Sequence, residues 1–202
     1  MKRMRLSFPA VLLSIALTTG CGGEKVATTD PAMTTAATAT DSSMPANAPA
    51  SYDLQFLDTM SKHHLAAIAM AKMAQEKIEH PLLKELVTRI PVDQQKEIDQ
   101  MTTWRDLWYS GAPTAENMDM PGMKSSMNMD MTHMSTMKAG KDYDLMFIDM
   151  MTPHHVGAIE MSREAMTKAE HQEVKTLAQA IIDAQQREVD QMKQWKGMLT
   201  GK

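Results

Sequence analysis

The chain has 202 residues, a formal net charge of −4 and a sequence pI near 6.0, which leaves no basic excess to hold a nucleic-acid backbone. One cysteine excludes an internal disulfide framework. Methionine is the outlier at 23 residues, while aromatics make up only 4%; abundant Ala, Leu, Gln, Glu and Lys favour helix over sheet.

Lys2, Arg3 and Arg5 precede a mostly apolar run from Leu6 to Leu17. These are the n-region and h-region of an export signal, too short to span a bilayer as a stable helix. The run leads into Leu17-Thr18-Thr19-Gly20-Cys21, which resembles the lipobox of bacterial lipoproteins, with Thr18 where the pattern carries Leu, Val or Ile. The expectation is a signal peptide over residues 1–21 with Cys21 as the lipidation site. The product is then an exported, periplasmic or envelope-anchored lipoprotein, touching a membrane only through its N-terminal lipid. Gly22 favours the outer membrane where a cell has two. Removing the leader takes away Lys2, Arg3 and Arg5 and shifts the net charge from −4 to −7. Residues 22–51 are Ala, Thr, Ser, Pro and Asp with almost nothing to bury, and read as a flexible tether. As a coil it would span roughly 30 Å, from about 5–6 Å times the square root of its length. Met33 and Met44 within it receive no role.

The periodicity of Leu54, Leu57, Ala67, Ile68 and Ala71 predicts a first helix from Tyr52 to about Glu79, stopped by His80-Pro81. A second helix runs from Pro81 to Trp108, with Pro91 expected to kink or split it. Residues 114–141 are different. Met118, Met120, Met123, Met127, Met129, Met131, Met134 and Met137 lie among Asp, Asn, Ser, Thr, Pro, Gly and Lys, and are expected in a solvated loop. A third helix is predicted from Tyr143 to about Ala169 and a fourth from His171 to about Met198.

The third and fourth helices repeat the first and second. Tyr52–Met70 (YDLQFLDTMSKHHLAAIAM) recurs without a gap as Tyr143–Met161 (YDLMFIDMMTPHHVGAIEM), 91 residues on. At the same offset Gln94-Gln95 matches Gln185-Gln186, Glu97 matches Glu188, Met101 matches Met192 and Trp104 matches Trp195. The expected fold is all-α: a four-helix bundle over residues 52–202, built from hairpin 52–110, Met-rich linker 111–141 and hairpin 142–199, because two amphipathic pairs can close on each other.

Each repeat carries Met, His-His and Met: Met60, His63, His64, Met70, then Met151, His154, His155, Met161. Helical spacing puts Met60, His63, Ala67 and Met70 on one face, with His64, like His155, about 100° round at its edge. Asp58 and Asp149 are candidates to orient an imidazole through its second nitrogen. His80 and His171, at helix ends, suit a capping or dipole role. Thioether sulfur with imidazole nitrogen is a donor set that suits soft copper. The linker adds its eight Met and His133, a nitrogen that also holds Cu(II). Met101 and Met192 are weaker candidates, since a Met stripe on a helix commonly fills a core. Cu(I) is the favoured ion, with Cu(II) and Ag(I) as further ions. Binding through His is expected to weaken below about pH 6.

The pattern D-x-x-F-x-x-x-M-x-x-H-H-x-x-A-I-x-M, here Asp53, Phe56, Met60, His63-His64, Ala67-Ile68, Met70 and again Asp144 to Met161, resembles the family of domains of unknown function 305. The later Gln-Gln-x-Glu and Met-x-x-Trp in both repeats also fit. The resemblance implies a ferritin-like helical bundle. It is similar to the CopM type, whose members bind periplasmic copper through Met and His and support copper resistance, which implies ligand roles for the Met and His of both repeats. Pro153 stands where the first repeat has Lys62, so a new turn capped by Thr152 is expected there. Glu160 replaces Ala69 and changes the charge beside one site only.

An enzyme is not expected. The chain has no Glu-x-x-His of di-iron bundles and no His-Glu-x-x-His. The alternative is a metal-free helical module that binds an envelope protein. A copper protein could equally buffer the metal or hand it to an exporter or another envelope copper protein.

Overall fold

The computed structural model describes residues 50–201; the signal peptide, Cys21, Met33, Met44 and nearly all of the tether lie outside the described residues. Among the described residues there is helix and no strand. The elements are α1 (Tyr52–Ala74), α2 (Pro81–Trp108), the short α3 (Met123–Ser126) and α4 (Met131–Thr136), α5 (Lys141–Lys168) and α6 (Gln172–Thr200). None of these helices is long and apolar enough to cross a membrane.

Local chemistry sets the ends. Ser51 Oγ accepts from Leu54 N and starts α1. That helix stops at Ala74, short of the expected Glu79, where the chain tightens: Lys77 N–H takes the Ala74 carbonyl three residues back, sharing it with Ile78 N–H, and Ile78 is buried in the core. His80 caps α2, its Nδ1 accepting from Leu83 N at 3.4 Å. Of the two outcomes expected at Pro91, the split does not occur: α2 runs through it as one helix. Proline offers no N–H to the Val87 carbonyl four residues back, and Gln75 Nε2, from the end of α1, donates to that carbonyl at 3.4 Å instead. Helix α5 likewise runs through Pro153 without restarting. Thr152 is not a cap: its hydroxyl donates to Met192 Sδ at 3.9 Å.

The long helices pair in the same register in both repeats. Ser61 Oγ donates to Met101 Sδ at 3.8 Å and His64 meets Glu97 between α1 and α2; Thr152 to Met192 and His155 to Glu188 repeat this between α5 and α6. The repeats also interlock. Buried Asp53 of α1 accepts from Glu170 N and His171 N, both at 2.9 Å, at the start of α6. Buried Asp144 of α5 accepts from Glu79 N at 3.0 Å and His80 N at 2.8 Å, at the start of α2. Each carboxylate thus caps the other repeat's helix.

Two hydrophobic clusters form the core, and each draws on both repeats. One joins Met70 of α1 to Met151 and Met192, with Tyr143, Phe147 and Leu83. The other joins Met60 and Met101 to Met161, with Phe56 and Ile181. Burying each such side chain is worth about 1.5–3 kcal/mol. Along α1 and α5 the histidine pairs fall between the stretches that feed the two clusters.

The Met-rich segment is not the solvated loop expected. Met120, Met123 and Met134 are buried and Met127, Met129, Met131 and Met137 half-buried; Met118 and His133 are exposed. Met120, Met123 and Met127 join the Met60 cluster, while Met129, Met131, Met134 and Met137 join the Met70 cluster. Docking depends on glycine. A Cβ at Gly157 of α5 would lie 2.5 Å from Ser126 Cβ and 2.6 Å from the Gly122 carbonyl, so α3 seats directly on bare helix backbone. Lys77 Nζ clamps the far half by donating to the carbonyls of Met134, Ser135 and Met137.

Candidate metal site

Helix α1 has a neighbour on either side, so both histidines of its pair are covered. His63 faces α5, its ring centroid 3.8 Å from that of His154 at an interplanar angle of 40°. His64 faces α2, its Nε2 2.6 Å from Glu97 Oε2. In the second repeat His155 Nε2 lies 2.7 Å from Glu188 Oε2. All four imidazoles are fully buried, which corrects the placing of His64 and His155 at the edge of a face. Asp58 and Asp149 are not their orienting partners. Asp58 binds Arg105 Nε at 2.7 Å and Ala115 N at 2.8 Å, and Asp149 pairs with Lys196.

The inner pair is electrostatically distinct. Burial, then the neighbouring His154 and His64, pushes His63 well below the ordinary histidine value. Burial, then His155 and His64, does the same to His154. Both rings therefore stay neutral, and able to ligate, further into acid than the limit near pH 6 expected of ordinary histidine. His63 Nε2 lies 2.9 Å from Ser126 Oγ, whose hydroxyl is 3.0 Å from the Met123 carbonyl. The Met-rich segment thus reaches the histidine layer.

What remains open is a set of buried nitrogen atoms with no hydrogen-bond partner: Nδ1 of His63, His64 and His155, and both ring nitrogens of His154. The side-chain amides of Gln94 and Gln185 are likewise buried and unpartnered. Leaving such groups unmade is costly. The repeat methionines are buried with them: Met60, Met70, Met101, Met151, Met161 and Met192 have no exposed surface. Met60 precedes His64 by one helical turn and Met151 precedes His155 by one turn. Among the described residues no three His, Cys, Asp or Glu side chains are grouped to hold a metal ion. The repeats bury thioethers as well as imidazoles, and that combination suits a soft cation.

His80 and His171 stay outside this set. His171 Nδ1 is held by Asp53 Oδ2 at 2.7 Å and its ring stacks on Trp108 at 3.8 Å, while His80 caps α2. Glu97, Glu188, Ser126, Gln94 and Gln185 are site residues that the sequence reading did not assign. The 91-residue repeat carries a signal for four of them, since Gln94/Gln185 and Glu97/Glu188 are matched pairs. Ser126 lies outside the repeat and leaves none.

Solved structures share this arrangement of chain. CopM in its Cu(I)-bound form is 37% identical, with a TM-score of 0.60, over 71% of this chain and 94% of CopM. CopM in its Cu(II)-bound form matches at the same identity and TM-score, over 96% of that chain, and a silver-bound form obtained by co-crystallisation over 93%. A family protein from Streptomyces coelicolor, described as secreted, matches at 25% identity and a TM-score of 0.66, over 74% of this chain and 93% of its own. No curated protein matches the chain. The model of the domain of unknown function DUF305 covers residues 53–196, from the first capping aspartate to beyond the last repeat tryptophan, and the chain belongs to that family.

Proposed function

We propose that this chain is an extracytoplasmic copper-binding protein: a four-helix bundle of two duplicated hairpins that holds Cu(I), and also Cu(II) and Ag(I), on methionine and histidine. It serves copper resistance or homeostasis by sequestering the ion or passing it to an exporter or another envelope copper protein. One observation carries the reading. In both repeats, buried imidazole nitrogens lacking any partner lie a helical turn from fully buried thioethers, and the similar CopM is known in copper- and silver-bound forms. The repeats supply Met60, His63, His64, Met70 and Met151, His154, His155, Met161, with Met101 and Met192 beside them. The half-buried Met127, Met129, Met131 and Met137, with exposed Met118 and His133, form the route inward. No reaction is assigned to the site: the polypeptide binds and does not transform.

The test is retention. Purified protein is loaded with Cu(I) under reducing conditions, desalted and assayed for metal. It is compared with a variant carrying all four histidines as alanine and with one lacking residues 117–137. Wild type is expected to keep copper, and each variant to keep less. Two variants that equal wild type would show the wrong atoms were chosen. Wild type that emerges without copper would favour a metal-free interaction module, whose surface would be the exposed Leu107 and Met198, matched positions at the ends of α2 and α6.

A further inference from the structure

Each repeat sets one carboxylate behind one fully buried imidazole: Glu97 at 2.6 Å from His64 Nε2 and Glu188 at 2.7 Å from His155 Nε2. We propose that Glu97 and Glu188 are positioning residues that decide which nitrogen each site offers and which charge it accepts. This inference rests on the copper reading above.

The choice of nitrogen follows from the acceptor. A carboxylate only accepts hydrogen bonds, so Nε2 of His64 and of His155 carries the ring hydrogen. The lone pair is then on Nδ1, and Nδ1 is the buried atom left without a partner in both rings. The sulfurs stand in the same layer. Met60 is one turn before His64 on α1, Met101 is one turn after Glu97 on α2, and Ser61 fixes Met101 Sδ at 3.8 Å. Met151, His155, Glu188, Met192 and Thr152 repeat the set. A carboxylate behind a ligating imidazole fixes the ring and raises its basicity.

The charge follows from the donors. Thioether and neutral imidazole bring none, so a buried ion keeps its full charge and is penalised for leaving water. One carboxylate, one ring away, balances a monovalent ion and leaves a divalent one in excess. Each repeat is therefore matched to one Cu(I) or Ag(I). The repeats are not equal. Arg89 Nη2 lies 3.5 Å from Glu188 Oε1, whereas Ala180 stands at the matching position of the second repeat, so Glu97 has no counterpart of that arginine. Glu188 shares its charge, and the first repeat holds the monovalent ion more tightly.

Two measurements decide this. In metal-free protein labelled with 15N-histidine, long-range 1H–15N spectra are expected to show His64 and His155 in the Nε2–H form. Glu97→Gln and Glu188→Gln keep an acceptor oxygen, hence the tautomer, but remove the charge. In competition for Cu(I) against a chelator of known affinity, each is expected to weaken one ion by about 10–100-fold, Glu97→Gln more than Glu188→Gln. Glu97→Leu is expected to lose the Nε2–H preference as well. An Nδ1–H tautomer in wild type overturns the positioning role whether or not metal binds. Glutamine variants that hold Cu(I) as tightly as wild type, while Met60→Leu weakens it, overturn the charge role and leave the copper reading standing. Wild type that holds no Cu(I) overturns the copper reading itself.

Discussion

His63 and His154 are matched residues of the two repeats and touch each other, so the repeats meet at this pair. Both are held well below the ordinary histidine value, chiefly by burial. The folded protein keeps them neutral, so on acidification the unfolded chain takes up protons first. Their contribution to stability is complete above the unfolded value of about 6.5 and is lost as pH falls through it towards the folded values. The metal-free melting temperature is therefore expected to be level above about pH 7 and to decline below about 6.5. His63→Gln with His154→Gln should flatten that decline, and an unchanged slope in the double variant would contradict the assignment. That the two histidine pairs are equivalent was legible: Met followed by two adjacent His occurs twice at one offset. Their separate surroundings were not. A helical wheel gives directions around one helix and says nothing of which helix lies on each side. Here α5 covers His63 and α2 covers His64.

At the scale of elements, the surprise is the methionine segment. Gly, Pro and Asp among its sulfurs, with no helical period, read as solvated chain, yet half of it packs against each core cluster. The cause is a contact that no local pattern encodes, α3 seated on the backbone of α5 at Gly157. The repeat held a trace of it, since the matching residue of α1 is Ala66. Gly157→Ala forces a methyl group to 2.5 Å from Ser126 Cβ and should destabilise by about 1–3 kcal/mol. Faster amide exchange is expected in residues 122–127, with the ends of the long helices unaffected; full protection of α3 in the variant would count against the glycine seat. Boundaries were the other shortfall. The end of α1 is marked by the three-residue bond that Lys77 N–H makes to Ala74, and the Val87 carbonyl left free by Pro91 is met by Gln75, which lies beyond α1 in the chain.

For the whole molecule, the 91-residue offset made four long helices legible, along with their pairing as α1 with α2 and α5 with α6. How the pairs interlock was hidden, because Asp53 and Asp144 look like ordinary acidic residues in the first turns of their own helices, where they would satisfy a nearby dipole. Instead each closes the N-terminus of the other repeat's second helix. Asp53→Ala and Asp144→Ala should each lower stability by about 2–4 kcal/mol, with Asp53 the more costly because it also holds His171 Nδ1. Denaturant titration gives the magnitude and amide exchange gives the place. Protection should fall around residues 170–175 for Asp53→Ala and 79–84 for Asp144→Ala. Loss confined to the mutated repeat would argue against the crossed arrangement.

The depth of the sulfurs has a chemical consequence. Met198 is 58% exposed, Met118 39% and Met166 36%, whereas Met60, Met70, Met101, Met151, Met161 and Met192 have no exposed surface. Among the described residues, an oxidant arriving from solvent meets these three ahead of the buried ones and converts them to sulfoxides, a change that reductases can reverse. These six thioethers can be reached only when the helices part, so the repeat methionines proposed to hold the ion are shielded from peroxide by the fold itself.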